Sequence, residues 1–164
     1  MERRKFMQLA LGGLSFAALS PLLTSSKAFA VAAFDTVIKT NAEWKKLLTP
    51  AQYNVLREEG TERPFTSDLL NEHRDGMFAC VACDLPLFPA ANKYDSGTGW
   101  PSFFDKINGH IETKTDYALL YPRTEYHCAR CAGHHGHVFN DGPQPTGLRY
   151  CNNGVALTFI PKEA

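Results

Sequence analysis

The feature that most restricts what this chain can fold into is a matched pair of C-x-x-C turns, Cys80-Val81-Ala82-Cys83 and Cys128-Ala129-Arg130-Cys131. Each puts two sulfurs on one tight turn. Two such turns brought together make a tetrahedral four-thiolate site, which suits Zn²⁺ at about 2.3 Å per sulfur. Four protein ligands leave no position open for water, so a zinc held this way is structural. It also ties the 44 residues between the turns (84–127) into one loop and so stabilises a small domain. Two other readings stay open. In an oxidising compartment the four cysteines can form disulfides, although a bridge within a C-x-x-C closes a short, strained loop that is usually reactive. Iron also accepts tetrahedral thiolate.

The first 30 residues do not belong to the same folding unit. Arg3, Arg4 and Lys5 precede an apolar run over 9–23, and small residues follow at Ala28-Phe29-Ala30. That is the layout of a secretory signal, with cleavage expected after Ala30. The run is shorter than the roughly 20 residues of a spanning helix, which makes a retained membrane anchor the minor alternative. Arg3-Arg4-Lys5-Phe6 further resembles the bacterial twin-arginine export signal, the alternative being an ordinary signal with two arginines. The expected organisation is a cleaved signal over 1–30, a linker over 31–41 and one domain over 42–164. The expected location is the bacterial periplasm, with no membrane attachment after cleavage.

Without residues 1–30 the chain keeps 13 basic and 16 acidic residues and no clustered basic stretch, which argues against nucleic acid as a partner. With no repeat of solenoid period, one core is expected. Helices are expected over 42–48, capped by Asn41, and from Pro50, where Thr49 and Gln52 complete a capping box and Gly60 offers a stop. Beyond Gly60 the helical pattern gives way to short segments punctuated by Pro and Gly. Candidate strands run over 77–81, 110–115, 118–121, 126–129, 137–139, 147–151 and 155–160, which argues for an antiparallel β domain after a helical lead-in.

The fifth cysteine, Cys151, stands outside both knuckles. Strand alternation puts Arg149, Cys151 and Asn153 on one face, where a guanidinium beside the sulfur favours thiolate. Upstream, His134, His135 and His137 crowd four residues around Gly136, with Asp141 placed to orient an imidazole. A buried inert cysteine with structural histidines is the plain alternative, and metal binding by the histidines is another.

Together these residues resemble the B-type methionine-R-sulfoxide reductases. The matching stretches are Gly60-Thr61-Glu62 with Pro64-Phe65, Cys80 to Cys83, residues 94–103 (YDSGTGWPSF), Cys128 to Cys131, and residues 134–151 (HHGHVFNDGPQPTGLRYC). The resemblance implies a mainly β fold of two antiparallel sheets packed together as a β-tent, with short N-terminal helices and one structural zinc on Cys80, Cys83, Cys128 and Cys131. It implies reduction of methionine-R-sulfoxide in oxidised proteins, one epimer only. By position it makes Cys151 the nucleophile, Arg149 its cation, His134 and His137 the paired imidazoles, Asp141 their acidic neighbour and Asn153 an amide. Trp100 and Phe139 become the substrate-binding aromatics. Thr98 stands where many members carry a resolving cysteine, so an external donor, thioredoxin-like or another thiol, is the expected reductant. His135 and Asn152 replace residues usually apolar and are expected to make the pocket more polar. A zinc-stapled binding module without catalysis is the rival from another class, and a zinc hydrolase built on the histidines a third. A monomer is the default.

Overall fold

The computed structural model describes residues 34–163, so the expected signal and most of the linker's start lie outside the described residues. Two short helices open the chain. Helix α1 (Asn41–Leu47) is capped by Thr40, whose hydroxyl accepts from the Glu43 amide while the Glu43 carboxylate accepts from the Thr40 amide. The cap falls one residue before the expected Asn41 because only Thr40 has an acid three positions on. Helix α2 (Pro50–Glu58) begins as read from sequence, with Thr49 and Gln52 forming a reciprocal box and Pro50 in the first turn. It ends one residue early. Glu59, not Gly60, takes the left-handed conformation, and the Gly60 amide returns to Asn54 O.

The rest is antiparallel β structure in two sheets. The smaller sheet comprises β1 (Gly76–Cys80), β2 (Pro86–Pro89) and β9 (Leu157–Pro161), in the order β2-β1-β9. The larger comprises β3 (Lys93–Tyr94), β4 (Ser102–Phe103), β5 (Ile111–Asp116), β6 (Arg123–Cys128), β7 (His134–Phe139) and β8 (Arg149–Asn152), in the order β3-β4-β8-β7-β6-β5. The two sheets meet through aromatic rings. Phe88 of the small sheet stacks on Phe103 of the large one at 4.2 Å, and Phe78 meets Phe103 edge-on at 5.0 Å. Tyr126 and Tyr150 complete this buried cluster. The antiparallel two-sheet fold expected from sequence is therefore present.

The differences are local. Residues 118–121 are not a strand but part of the connection from β5 to β6, whose ends pair as Asp116 and Arg123. The Asp116 carboxylate accepts from the Ala118 amide and turns the chain away from the sheet. Strands β6 and β7 each start three residues earlier than expected, and β2 to β4 escape a reading based on long alternating runs because each has four residues or fewer. No helix among the described residues is long and apolar enough to cross a membrane.

One irregularity decides what the large sheet presents. In the β6–β7 ladder Glu125 pairs with His137 and Tyr126 with Gly136, but His127 pairs with His134. His135 is the extra residue of a β-bulge. A bulge breaks strict alternation, so His134 and His137, three apart, end up on one face. The side chain of His135 goes to the other face, fully buried and parallel to the Tyr126 ring at 6.4 Å. Gly136 lies within the strand. A Cβ there would stand 1.9 Å from the Cys151 carbonyl oxygen, so only glycine lets the bulged strand approach β8 this closely.

A four-sulfur cluster and a candidate active site

The two C-x-x-C turns have the same backbone. In each, the first cysteine's carbonyl accepts from the amide four residues on, Asp84 or Ala132, at 2.8 Å, and its amide donates to the carbonyl of the next residue, Leu85 or Gly133, at 2.9 Å. Asp84 and Ala132 both adopt positive φ, 57° and 55°. One turn follows β1 and the other follows β6, so the cluster spans both sheets. The four sulfurs all lie within 4.8 Å of one another, with Cys80 to Cys131 at 3.7 Å and Cys83 to Cys128 at 3.5 Å. A disulfide has sulfurs about 2.05 Å apart. A tetrahedral ion with bonds of about 2.3 Å needs sulfur–sulfur edges near 3.8 Å. The spacing fits the ion, and all five described cysteines are free. Arg57 donates to Cys131 Sγ at 3.4 Å and to Cys131 O at 2.9 Å, placing positive charge beside what is a net anionic cluster when four thiolates hold a divalent cation.

Away from this cluster, a cavity of about 210 Å³ opens on the face of the large sheet and is lined by Thr61, Trp100, Arg123, Gly136, His137, Phe139, Cys151, Asn152 and Asn153. In the β7–β8 ladder His137 is the direct partner of Cys151, and Phe139 that of Arg149. Directly opposed residues share a face and lie within contact of each other. Both ring and sulfur therefore project into the same cavity. Trp100 is brought there by the 96–101 loop and by its indole N–H, which donates to Glu62 O at 3.1 Å. Glu62 is itself tied to the β8–β9 connection, its carboxylate accepting from the Gly154 and Val155 amides and its amide donating to Asn153 Oδ1. Burial raises the Glu62 carboxyl above its ordinary range.

Comparison with known proteins places this constellation. The SelR domain model matches residues 48–161. Over 126 residues the chain is 51% identical to the peptide methionine sulfoxide reductase MsrB of Thiobacillus denitrificans, covering 76% of this chain and 96% of that one. It is 51% identical over 126 residues to the same-named protein of Agrobacterium fabrum, covering 76% and 93%. It is 53% identical over 116 residues to peptide methionine sulfoxide reductase B1, chloroplastic, of Arabidopsis thaliana, covering 70% and 57%. The chain belongs to the MsrB family of oxidoreductases. The resemblance read from its motifs is thus sound at family level.

The residues expected to form a family site are brought together only in part. Cys151, His137, Trp100, Phe139 and Asn153 line the cavity. His134 sits behind His137, the rings 5.6 Å apart and steeply inclined, and is itself buried. Asp141 does not touch either imidazole. It holds the Arg149 guanidinium through two hydrogen bonds of 2.8 Å, and that guanidinium lies 4.3 Å from the Phe139 ring centre. The acidic neighbours of the imidazoles are residues that sequence reasoning missed. Asp116 Oδ2 takes His137 Nε2 at 2.7 Å, and Glu125 Oε1 takes His134 Nδ1 at 2.7 Å. Asp116 also binds Arg123 at 2.6 Å. The alternation of Arg123, Glu125 and His127 marks a charged face of β6, but that this face and the end of β5 meet the histidines follows only from the strand pairing. His135 does not polarise the cavity: its imidazole lies in the core with Nδ1 3.4 Å from Asn152 Oδ1, and burial lowers it to about 4. Asn152 does reach the cavity wall.

The electrostatics overturn one expectation. Arg149 was expected to hold Cys151 as thiolate. Burial instead dominates and pushes the thiol above its ordinary value, with Arg149 and the Thr98 hydroxyl opposing it and Asp141 adding to it. Burial likewise lowers His137, against the pull of the Asp116 hydrogen bond. Asp116 itself is held at about 2 by the Ala118 amide and His137. Burial works to raise Glu125, but hydrogen bonds from His127 and His134 outweigh it and keep the carboxyl well below its usual range. At neutral pH the resting site is therefore a neutral thiol facing a neutral imidazole. A thiol pKa raised by burial means that the anion, the alkylatable form, accumulates only as pH rises past that value. The rate of Cys151 alkylation by iodoacetamide should accordingly titrate above the ordinary thiol range. Arg149→Met removes the lowering influence and should move the midpoint further up, by about one unit; a midpoint unmoved or shifted down contradicts this balance.

Proposed function

We propose that this protein reduces methionine-R-sulfoxide in oxidised proteins to methionine, with Cys151 as the nucleophile. The observation that carries this is the β7–β8 register, which sets His137 directly across from Cys151 in a cavity walled by Trp100 and Phe139. The Asp116 carboxylate fixes the His137 tautomer: Nε2 donates to it, and Nδ1 keeps a lone pair. With a sulfoxide in the cavity, the Cys151 proton passes to Nδ1, and Asp116 stabilises the imidazolium that results. The thiolate attacks the sulfoxide sulfur while the imidazolium returns the proton to the oxygen, which makes that oxygen transferable. The hydroxyl then moves from the substrate sulfur to Cys151 Sγ as the sulfur–sulfur bond formed in the attack breaks, its electron pair staying with the methionine sulfur. Methionine and Cys151 sulfenic acid are the products, and proton and electron counts balance. The methyl group rests against the Trp100 and Phe139 rings and the oxygen turns toward His137. That orientation favours one epimer. His134, locked by Glu125, backs His137, and Asn153 fixes the cavity edge through Glu62 and the His135 carbonyl.

The chain's other four cysteines form the metal cluster, and Thr98 holds the position where a resolving thiol could stand. The sulfenic acid is therefore reduced from outside. A thioredoxin-like protein or another thiol donor condenses with it, releasing water, and a second thiol exchanges with the mixed disulfide. The cluster holds one zinc ion, which supplies cross-linking and takes no part in the reaction. The same proposal includes export: Arg3-Arg4-Lys5-Phe6 directs the chain through the twin-arginine route to the periplasm, with cleavage after Ala30.

Three measurements test these statements. With dithiothreitol as donor, a peptide carrying methionine-R-sulfoxide should be reduced and its S epimer left intact, and Cys151→Ser should abolish turnover while keeping its zinc; residual turnover in that variant removes Cys151 from the mechanism. Stripping the metal with a chelator, or Cys83→Ser, should lower stability by at least about 3 kcal/mol, a fall in Tm of roughly 10 °C for a domain of this size, and an unchanged Tm denies the zinc its structural role. Replacing both Arg3 and Arg4 with Lys should leave the unprocessed chain in the cytoplasm, whereas normal periplasmic recovery rejects the twin-arginine route.

A further inference from the structure

The connection from β5 to β6 is unusual for an exposed loop. Residues 117–122 read Tyr-Ala-Leu-Leu-Tyr-Pro and carry no charge. Tyr117, Leu119, Leu120 and Tyr121 are 76, 47, 107 and 60% exposed, which makes this the densest group of large apolar side chains on the described surface. Scattered exposed apolar residues need no explanation, but a contiguous patch does. The loop's base explains where the patch sits. Asp116 and Arg123 close it, with Asp116 bound to the Ala118 amide, to Arg123 and to His137, while Arg123 also lines the catalytic cavity. The patch therefore springs from a residue pair of which one member, Arg123, lines the cavity. Beside the Trp100 wall stands a second exposed ring, Phe65, 71% exposed, whose amide donates to Gly99 O at 2.7 Å and whose ring packs on Gly99.

A cavity of about 210 Å³ has room for one methionine side chain, so the polypeptide carrying it must lie across this rim. The charges at the loop base are consumed within the protein: Arg123 and His137 both bind Asp116. What the rim offers a passing chain is apolar and aromatic surface. We propose that residues 117–121 form a docking surface for the segments flanking the oxidised methionine, and that the segments they select are extended and apolar. This rests on the reading of the cavity as the sulfoxide site.

Three substrates separate the two readings: N-acetyl-methionine-R-sulfoxide, which has no flanks, and two peptides with the same central residue between Leu and Phe or between Ser and Gly. The full mature protein should reduce the apolar-flanked peptide with a kcat/KM about tenfold above the polar-flanked one, the difference lying in KM. In Leu119→Ser/Leu120→Ser/Tyr121→Ser, all at exposed positions, that preference should vanish while the flankless substrate is turned over as before and Tm is unchanged. Restoring Leu or Met at 119 and 120 should restore most of the preference. An apolar preference that survives the triple substitution, or equal losses on all three substrates, overturns the docking role. If the flankless substrate is not reduced by the unaltered protein, it is the active-site reading that fails. Two further outcomes also overturn it: binding of the unaltered protein to phosphatidylethanolamine–phosphatidylglycerol vesicles, lost in the variant without any change in peptide preference, assigns the patch to a membrane surface; a concentration-dependent dimer lost in the same way assigns it to a second copy of the chain.

Discussion

The single extra residue in β7 is the constraint on which the candidate site depends. In an unbroken strand, residues three apart face opposite ways, and His134 would then point into the aromatic core while His137 met Cys151. The bulge at His135 places both imidazoles on the solvent side of the sheet, where Glu125 and Asp116 take one each. The knuckle just before it fixes where the bulge falls. Cys128 and Cys131 lock the β6–β7 turn, so the ladder must be regular from Glu125 outward and take up its extra residue between the turn and Gly136. The four-sulfur cluster thereby reaches the catalytic face without approaching it. It joins the β1–β2 turn of one sheet to the β6–β7 turn of the other, and the register it imposes runs along β7 to the His137–Cys151 pair.

Burial and charge compete at that pair, and burial prevails. A guanidinium near a thiol stabilises the anion only to the extent that its charge is not already answered. Arg149 is answered twice, by a bidentate carboxylate and by the face of Phe139. Its position on the Cys151 face is as strand alternation requires, and it does pull the thiol toward the anion, but burial of the sulfur outweighs it. The same desolvation that keeps Cys151 protonated keeps His137 uncharged, so both shifts oppose the proton transfer of the proposed mechanism. Asp116, outside the cavity wall and strongly ionised, pulls the other way through its hydrogen bond to His137.

Much of this was legible in the sequence, for identifiable reasons. Short-range rules placed α2 correctly to the first residue, because Thr49, Pro50 and Gln52 act within one turn. The C-x-x-C pair announced the cluster because the ligand spacing is itself the turn geometry. Cys151, Arg149 and Asn153 were found by alternation along one strand. What alternation could not give was anything that depends on a neighbour across the sheet. Asp116 and Glu125 are distant from the histidines in sequence and adjacent only through the β5–β6–β7 pairing. Asp141 was assigned to the imidazoles by proximity along the chain, but the positive charge of Arg149, on the paired strand, claims it. The 118–121 segment has the apolar composition of a strand and lacks only a partner strand, which composition does not reveal.

The resting neutrality of the pair suits a reductase with a single reactive sulfur. Peroxide oxidises thiolates far faster than thiols, and oxidation beyond the sulfenic acid is not reversed by ordinary thiols. An enzyme with a neighbouring resolving cysteine escapes that step by forming a disulfide at once. Here Thr98 occupies the adjacent loop and donates no sulfur, so in the proposed cycle the sulfenic acid waits for an external donor. In that cycle, holding the half-buried Cys151 as a thiol until a sulfoxide fills the cavity limits how often the sulfur is oxidised by anything else. Burial, which makes the nucleophile weaker at rest, thus also decides which oxidant it meets.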